Sequence, residues 1–308
     1  MRIAFFCFLY YNVKGKVFLK GEIVLVIRAK RTSEHLALAL FAGILLYFAH
    51  SFLVNEVFIP NEVIRSIASA ALSVLQLGVP ALMFYAMQKR AGFEEPKLKK
   101  NREGSAKYNV TLAFGGFSAI FVFGLLYSAA FPMAAPAIKV TGTLSFAINA
   151  ASSVIIPAVF EEYLYRRLIC RELTIHGGAF AVIISALLFG LAHFSFYTFP
   201  YAFICGLILG FVYLKTGSAK YTAAIHLANN LFAYVLAIIG TKISALDYTN
   251  FVMLLAIALS VMALGAFYTV IPNMNKFALC ENGNVASSAF LTFSMVVYLV
   301  CAVLMNFI

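Results

Sequence analysis

The feature that most constrains this chain is the recurrence of apolar stretches long enough to cross a membrane. Crossing ~30 Å of hydrocarbon takes about 20 helical residues. Nine stretches approach this length, so the sequence predicts an all-α, polytopic transmembrane helix bundle of eight to nine spans. They are Leu36–Val54, Val63–Met87, Tyr108–Phe131, Gly142–Arg166, Gly178–Phe196, Phe199–Leu214, Tyr221–Gly240, Phe251–Ile271 and Ser288–Ile308. With 63% hydrophobic residues, the chain lies outside the range of soluble domains.

The net charge of +11 follows the predicted topology and does not indicate a nucleic-acid-binding surface. If the N-terminus is cytoplasmic, all but three of the 23 Lys and Arg residues fall on the cytoplasmic side of the spans. An excess of positive charge in cytoplasmic loops is the usual orientation signal of membrane proteins. The sequence therefore predicts a multi-pass protein of the cell membrane, in contact with lipid, with its N-terminus in the cytoplasm.

The spans form one predicted domain, residues 36–308, because no linker interrupts them. Residues 1–35 are predicted to be a basic cytoplasmic extension. Ionisable and polar side chains that could take part in catalysis are concentrated in the fourth, fifth and seventh spans. Residues 142–240 are therefore the predicted functional core. Spans one, two, eight and nine carry few polar groups, and we expect them to face lipid.

The adjacent acids Glu161 and Glu162 are the strongest functional signal, since an ionisable group within a span costs several kcal/mol unless it faces a polar cavity or a partner. In a helix, Glu162 shares a face with Arg166, whereas Glu161 points about 100° away. We therefore expect a Glu162–Arg166 ion pair and a freer Glu161 that can act as a base. The alternative is that both acids merely mark the cytoplasmic end of the span.

Two other spans contribute polar residues. Phe189 and His193 are predicted to share a face of the fifth span, and Thr222, His226 and Asn230 form a stripe on the seventh. Such residues also serve as packing and hydrogen-bonding groups between helices. Together with the acids they favour hydrolysis, because a carboxylate and a histidine can activate water and N–H groups can stabilise an oxyanion. A zinc site built from Glu and His is an open alternative.

The motifs Glu161-Glu162-xxx-Arg166, Phe189-xxx-His193 and His226-xxx-Asn230 resemble, in order and spacing, those of the CPBP intramembrane proteases. That family includes the type II CAAX prenyl endopeptidases and the Abi proteins linked to bacteriocin processing and self-immunity. The resemblance covers about residues 108–240 and implies a catalytic core there.

The resemblance also implies a role for each motif residue. Glu161 and His193 would activate a water, and His226 and Asn230 would form the oxyanion hole. The mechanism would be that of a glutamyl peptidase, metal-independent and without a cofactor. The supporting residues would be Glu162, Arg166 and Phe189.

The sequence thus predicts an intramembrane endopeptidase that cleaves a lipidated or membrane-associated peptide. A prenylated CAAX substrate requires a host that prenylates proteins; otherwise a small secreted peptide, a pheromone or a membrane protein tail is expected. One alternative is a non-hydrolytic membrane scaffold or bacteriocin self-immunity protein that uses the same polar cavity for binding. Another is a proton-coupled transporter with Glu161 as its relay, although the sequence shows no homologous halves.

Overall fold

The computed structural model describes residues 20–55, 57, 59–98, 106–131, 142–270 and 287–307, and within these ranges it contains helices and no strands. The predicted all-helical membrane bundle is confirmed. The described α-helices longer than one turn are α1 (Lys20–Asn55), α2 (Glu62–Arg90), α3 (Ala106–Ala130), α4 (Thr143–Glu161), α5 (Gly178–Leu191), α6 (Phe199–Thr216), α7 (Ala219–Gly240), α8 (Ala245–Val270) and α9 (Phe293–Met305).

Seven helices in the described part of the chain are long and apolar enough to cross a membrane, slightly fewer than the predicted eight to nine. The exceptions are α5, with 14 residues, and α9, with 13. Each reaches only ~20 Å at about 1.5 Å per residue, short of the ~30 Å hydrocarbon core. The predicted span Gly178–Phe196 is therefore too long, because its helix ends at Leu191 and the chain turns into α6.

The helix α4 continues directly into a π-helix, Glu162–Cys170, which is followed by short helical turns as far as His176. Pro157 lies inside α4, one turn before the π-helix, and its missing N–H removes one backbone hydrogen bond. π-Helical turns are rare and occur frequently at functional sites. This widened segment places both Glu162 and Arg166 in the protein interior.

The first described helix begins inside the predicted N-terminal extension; residues 1–19 of that extension lie outside the described residues. Residues 20–35 continue into the first span as part of α1. Arg28 of α1 forms an ion pair with Glu172 at 2.8 Å, and Ser33 donates a hydrogen bond to the carbonyl of Phe290. The described part of the extension is therefore packed against the bundle.

All four spans expected to face lipid also contribute buried residues to the interior, so that expectation is wrong for the packed face of each. Ala37 of α1, Phe84 of α2 and Met295 of α9 are all buried. The helix α8 buries Leu259 on one face and leaves Leu254 and Leu264 about 70% exposed on the other. Apolar composition does not distinguish side chains that face lipid from those buried in the bundle, because lipid tails and a protein interior accept the same side chains.

A close backbone approach holds the short helix α5 against α6. A Cβ atom added at Gly206 of α6 would lie 2.9 Å from both the Cα and the Cβ of Ala186 of α5. Small residues allow helices in membranes to pack at such short distances. This contact fixes the position of α5 and of residues 192–198, which connect it to α6 and which we call the His193 turn.

Candidate active site

The neighbouring acids Glu161 and Glu162 face different groups. Glu162 is buried, with its Oε2 3.2 Å from Arg166 Nε and its Oε1 accepting a hydrogen bond from His226 Nδ1 at 3.2 Å. The predicted Glu162–Arg166 ion pair is confirmed. Arg166 is itself fully buried, and its guanidinium carbon lies 4.9 Å from the centre of the Phe189 ring, within cation–π range. Glu162 is therefore held by two side chains, Arg166 and His226.

Glu161 instead lines a cavity of about 160 Å³ together with His193, Tyr165 and Tyr298. A cavity of this size and polarity can hold several water molecules. Glu161 Oε2 is buried and makes no hydrogen bond with any described protein group; His226 Nε2 lies 3.8 Å away. Glu161 is thus the carboxylate of the pair that lines the cavity.

The tautomer of His193 follows from its backbone contact. Its Nδ1 lies 2.9 Å from the carbonyl oxygen of Phe189, which can only accept a hydrogen bond. Nδ1 must therefore carry the proton, and in the neutral ring Nε2 is left as an acceptor. The spacing with Phe189 predicts that His193 lies on the helix, but His193 lies in the His193 turn just after it. The two rings nevertheless remain adjacent, with centroids 5.0 Å apart.

His226 lies on α7, next to both acids. Its Nδ1 donates to Glu162, so Nε2 carries a proton only when the ring is an imidazolium. Glu161 at 3.8 Å and Glu162 at 3.2 Å are the counter-charges that such a cation needs. His226 therefore joins the acid that faces the cavity to the acid that is locked by Arg166.

Asn230 follows His226 by one turn of α7 and lies at the edge of the cluster. Its Nδ2 contacts the carbonyl of Ser153 at 3.5 Å, and its Oδ1 lies 3.5 Å from Asn229 Nδ2. Both distances are at the long limit for a hydrogen bond. Asn230 does not line the cavity that contains Glu161 and His193. The structure therefore brings six of the seven motif residues together and leaves Asn230 at the periphery.

A polar wall of the cavity, which comes from α2, is not among the features predicted from the sequence. Ser73 and Gln76 line the cavity, and Gln76 Oε1 lies 3.5 Å from His50 Nδ1 of α1. The other nitrogen of His50 contacts Ser69 Oγ at 2.9 Å. A signal was present, since residues 69, 73 and 76 recur at the i, i+4, i+7 spacing of one helical face within an apolar stretch.

A metal site would require at least three ligand side chains that converge on one point. Among the residues that the structure describes, no group of three or more His, Cys, Asp or Glu side chains is arranged in this way. The Nδ1 atoms of His193 and His226 are both engaged in hydrogen bonds, with Phe189 and Glu162 respectively.

A family model, type II CAAX prenyl endopeptidase Rce1-like, matches residues 143–232. This segment runs from the start of α4 into α7 and includes every residue of the three motifs, so the resemblance seen in the sequence is confirmed over it. Comparisons with curated proteins and with solved structures gave no match. The family match supports an integral membrane peptidase whose substrate is a peptide or protein in the membrane.

Proposed function

We propose that this protein is an intramembrane endopeptidase of the glutamyl type, which hydrolyses a peptide bond with a water activated by Glu161. The observation that carries the proposal is the division of roles between two adjacent acids. Glu162 is fixed by Arg166 and His226, whereas Glu161 faces a cavity that it shares with His193. One carboxylate is thus structural and the other is free to take up a proton.

In the first step, a water in the cavity donates one proton to Glu161 and a second hydrogen bond to His193 Nε2. The hydroxide that develops attacks the carbonyl carbon of the substrate and forms a tetrahedral oxyanion. The fixed tautomer of His193 supports this role, because its Nδ1–H is held by the Phe189 carbonyl and its Nε2 can accept. General-base assistance of this kind is worth about 10²–10⁴-fold in rate.

In the second step, His226 and Asn230 stabilise the oxyanion. His226 would donate from Nε2 as an imidazolium, with Glu162 as its counter-ion at 3.2 Å. Asn230 would donate from Nδ2 after giving up its 3.5 Å contact with Ser153. The C–N bond then breaks, and the leaving amine takes the proton that Glu161 received from the water. Supporting residues in this scheme are Glu162, Arg166 and Phe189.

The proposed substrate is a lipidated or membrane-associated peptide that reaches the cavity from the cytoplasmic side. The cationic residues Arg28, Arg167 and Arg171 cluster near the end of the π-helix segment, where they bind Glu95 and Glu172. Such clusters of positive charge mark the cytoplasmic face in membrane proteins. This placement supports a cytoplasmic N-terminus in the cell membrane and brings Glu161 towards the same face.

The proposal is tested by peptide cleavage in lipid nanodiscs, followed by mass spectrometry. The peptide pool would contain farnesylated CAAX peptides and plain apolar peptides, with a chelator present in one arm. We expect cleavage by the wild type, with or without chelator, and a loss of about 10²–10⁴-fold for Glu161→Gln. The matched control is Glu95→Gln, a second acid outside the cavity, which should cleave like the wild type.

Other outcomes would favour a different mechanism or function. Cleavage that stops with the chelator would support the zinc alternative. Equal cleavage by the wild type and Glu161→Gln would contradict the glutamate mechanism. Binding of a peptide without cleavage, unaffected by Glu161→Gln, would favour the scaffold or self-immunity alternative, which uses the same cavity for binding only.

A further inference from the structure

The His193 turn is held by a residue far away in the sequence, Asn306, which directly follows α9. Asn306 Nδ2 donates to the carbonyl of Leu191 at 3.1 Å, and its Oδ1 accepts from the N–H of Ser195 at 2.9 Å. The backbone carbonyl of Asn306 accepts from the N–H of Phe196 at 2.9 Å. A buried asparagine therefore binds the chain on both sides of His193.

The turn needs such a clamp because its backbone is strained. Phe194 has a φ of +47°, the only positive φ among the described residues other than glycine. A left-handed conformation costs a residue with a side chain about 1–2 kcal/mol. Strained residues of this kind persist only when the surrounding structure determines them. The Phe194 ring packs on Tyr47 of α1 with centroids 4.6 Å apart, and it lines the cavity next to His193.

Asn306 also binds the end of α5. The last carbonyls of a helix have no hydrogen bond within that helix and need donors from outside it. The carbonyl of the buried Leu191 accepts from the N–H of Phe194 at 3.2 Å and from Asn306 Nδ2 at 3.1 Å. Asn306 Nδ2 also donates to the carbonyl of Ala302 of α9 at 2.7 Å. The same amide thus joins the end of α5 to the end of α9.

We propose that Asn306 is a positioning residue for His193, and that α9 belongs to the catalytic unit although it lies outside the family-matched segment 143–232. This inference rests on the proposed function, because it assigns to Asn306 the task of holding Nε2 of His193 at the water site. A second contact of α9 with the site supports it, since Tyr298 lines the same cavity as Glu161 and His193.

The competing explanation is that Asn306 only docks α9 onto the bundle. Thr292 gives a matched control for that role, because it caps the opposite end of α9. Its Oγ1 accepts from the N–H of Met295 at 3.4 Å and contacts Ser33 Oγ of α1 at 2.9 Å. Thr292→Ala therefore loosens α9 without touching the His193 turn, and Asn306→Ala removes the side-chain contacts with the turn.

The experiment measures backbone amide exchange and cleavage kinetics for both variants in nanodiscs. For Asn306→Ala we expect faster exchange at Ser195 and a kcat lowered about 10–10²-fold with KM unchanged. This is the scale for a catalytic group displaced by ~1 Å. Thr292→Ala should leave both the exchange of residues 192–198 and kcat at the wild-type level.

Asn306→Leu separates hydrogen bonding from side-chain packing. The leucine keeps the branched shape of asparagine, but it can neither donate to Leu191 nor accept from Ser195. We expect a kcat as low as that of Asn306→Ala. A wild-type kcat in this variant would mean that packing alone is required, and it would overturn the proposal.

The remaining outcomes distinguish a failure of this inference from a failure of the proposed function. Unchanged exchange at Ser195 in Asn306→Ala would overturn the clamp itself. Faster exchange with a normal kcat would overturn its link to His193 and leave the peptidase intact. If the wild type itself does not cleave, the proposed function fails and the positioning role fails with it, whereas the exchange data still report on the clamp.

Discussion

The two histidines of the site are supported in opposite ways. His226 lies in the middle of a long helix and is tied to charges, with Glu162 at 3.2 Å and a buried arginine behind it. His193 lies in a turn after a short helix and is held by neutral groups. The carbonyl of Phe189 accepts from its ring, and the amide of Asn306 binds the residues on either side of it. The first support is an electrostatic contact between two helices, and the second is built from backbone geometry and a hydrogen-bonding residue after α9.

Because of this difference, substitutions near the two histidines should have different effects. A buried ion pair is costly to break, because removing one partner leaves an uncompensated charge. A turn held by neutral hydrogen bonds loses about 1 kcal/mol for each bond removed, but it loses its geometry as well. We therefore expect damage around His226 to appear mainly as lost stability, and damage around His193 mainly as lost rate.

The largest effect on stability is expected for Glu162→Leu, which leaves Arg166 fully buried without its carboxylate. The free energy of unfolding should fall by about 3–5 kcal/mol. The double variant Glu162→Leu/Arg166→Leu should recover most of this loss, because neither charge of the buried pair remains to be desolvated. Denaturant-induced unfolding of the protein in detergent measures both. A double variant that is as unstable as the single one would show that the cost lies in packing.

A smaller effect is expected when the support of His193 is disturbed through α5. Gly206→Ala places a methyl group 2.9 Å from the backbone of Ala186, so α5 must shift. Such overpacking costs about 1–3 kcal/mol, and amide exchange of residues 192–198 should rise while α7 stays protected.

The control for this substitution is Gly265→Ala on α8, where the added methyl group meets no atom within 4 Å. It should be neutral or slightly stabilising, because alanine favours a helix by up to about 1 kcal/mol over glycine. If Gly206→Ala behaved in the same way, the close approach of α5 and α6 would not be what positions the His193 turn.

The smallest effect is expected at Glu95, which braces the π-helix from outside the membrane-spanning segments. Arg167 and Arg171 approach Glu95 Oε2 at 2.8 and 3.0 Å, and the hydrogen bond from Arg167 holds the pKa of Glu95 below its ordinary value of 4.5. A lowered pKa in the folded state stabilises the protein above pH 4.5, and this contribution is lost as the pH falls through the lowered pKa.

Because the side chain of Glu95 is 44% exposed to solvent, its contribution should stay below about 1 kcal/mol. Glu95→Gln should therefore lower the melting temperature slightly at pH 7, with the difference from the wild type vanishing in acid. Melting curves between pH 3 and pH 7 measure this. A difference that grows as the pH falls would have the wrong sign and would contradict the assigned ion pairs.

The parts of the site that sequence could predict lie on regular helices. The spacing of Glu162 and Arg166 predicts their ion pair, and the divergence of Glu161 from Glu162 predicts which acid faces the cavity. Both follow from helical periodicity, which survives the widening of the helix at residues 162–170 well enough for neighbours to meet.

The parts that could not be predicted depend on contacts between distant segments. The helix α5 ends at Leu191 although neither proline nor glycine occurs among residues 192–199, and the Ser195–Asn306 bond that fixes the turn spans 111 positions. The walls from α1, α2 and α9 were missed for a related reason. Their apolar residues suit lipid and protein equally, and only the assembled bundle decides between the two.

The most direct test of the central claim is single-turnover hydrolysis in H₂¹⁸O with hydroxylamine present, comparing the wild type with Glu161→Gln. The account predicts one ¹⁸O atom in the new carboxylate of the product from the wild type, no hydroxamate, and a rate about 10²–10⁴-fold lower for the variant. A hydroxamate product would reveal an acyl-enzyme, and an unchanged rate in Glu161→Gln would remove Glu161 from the chemistry. Either result would contradict a water activated by Glu161.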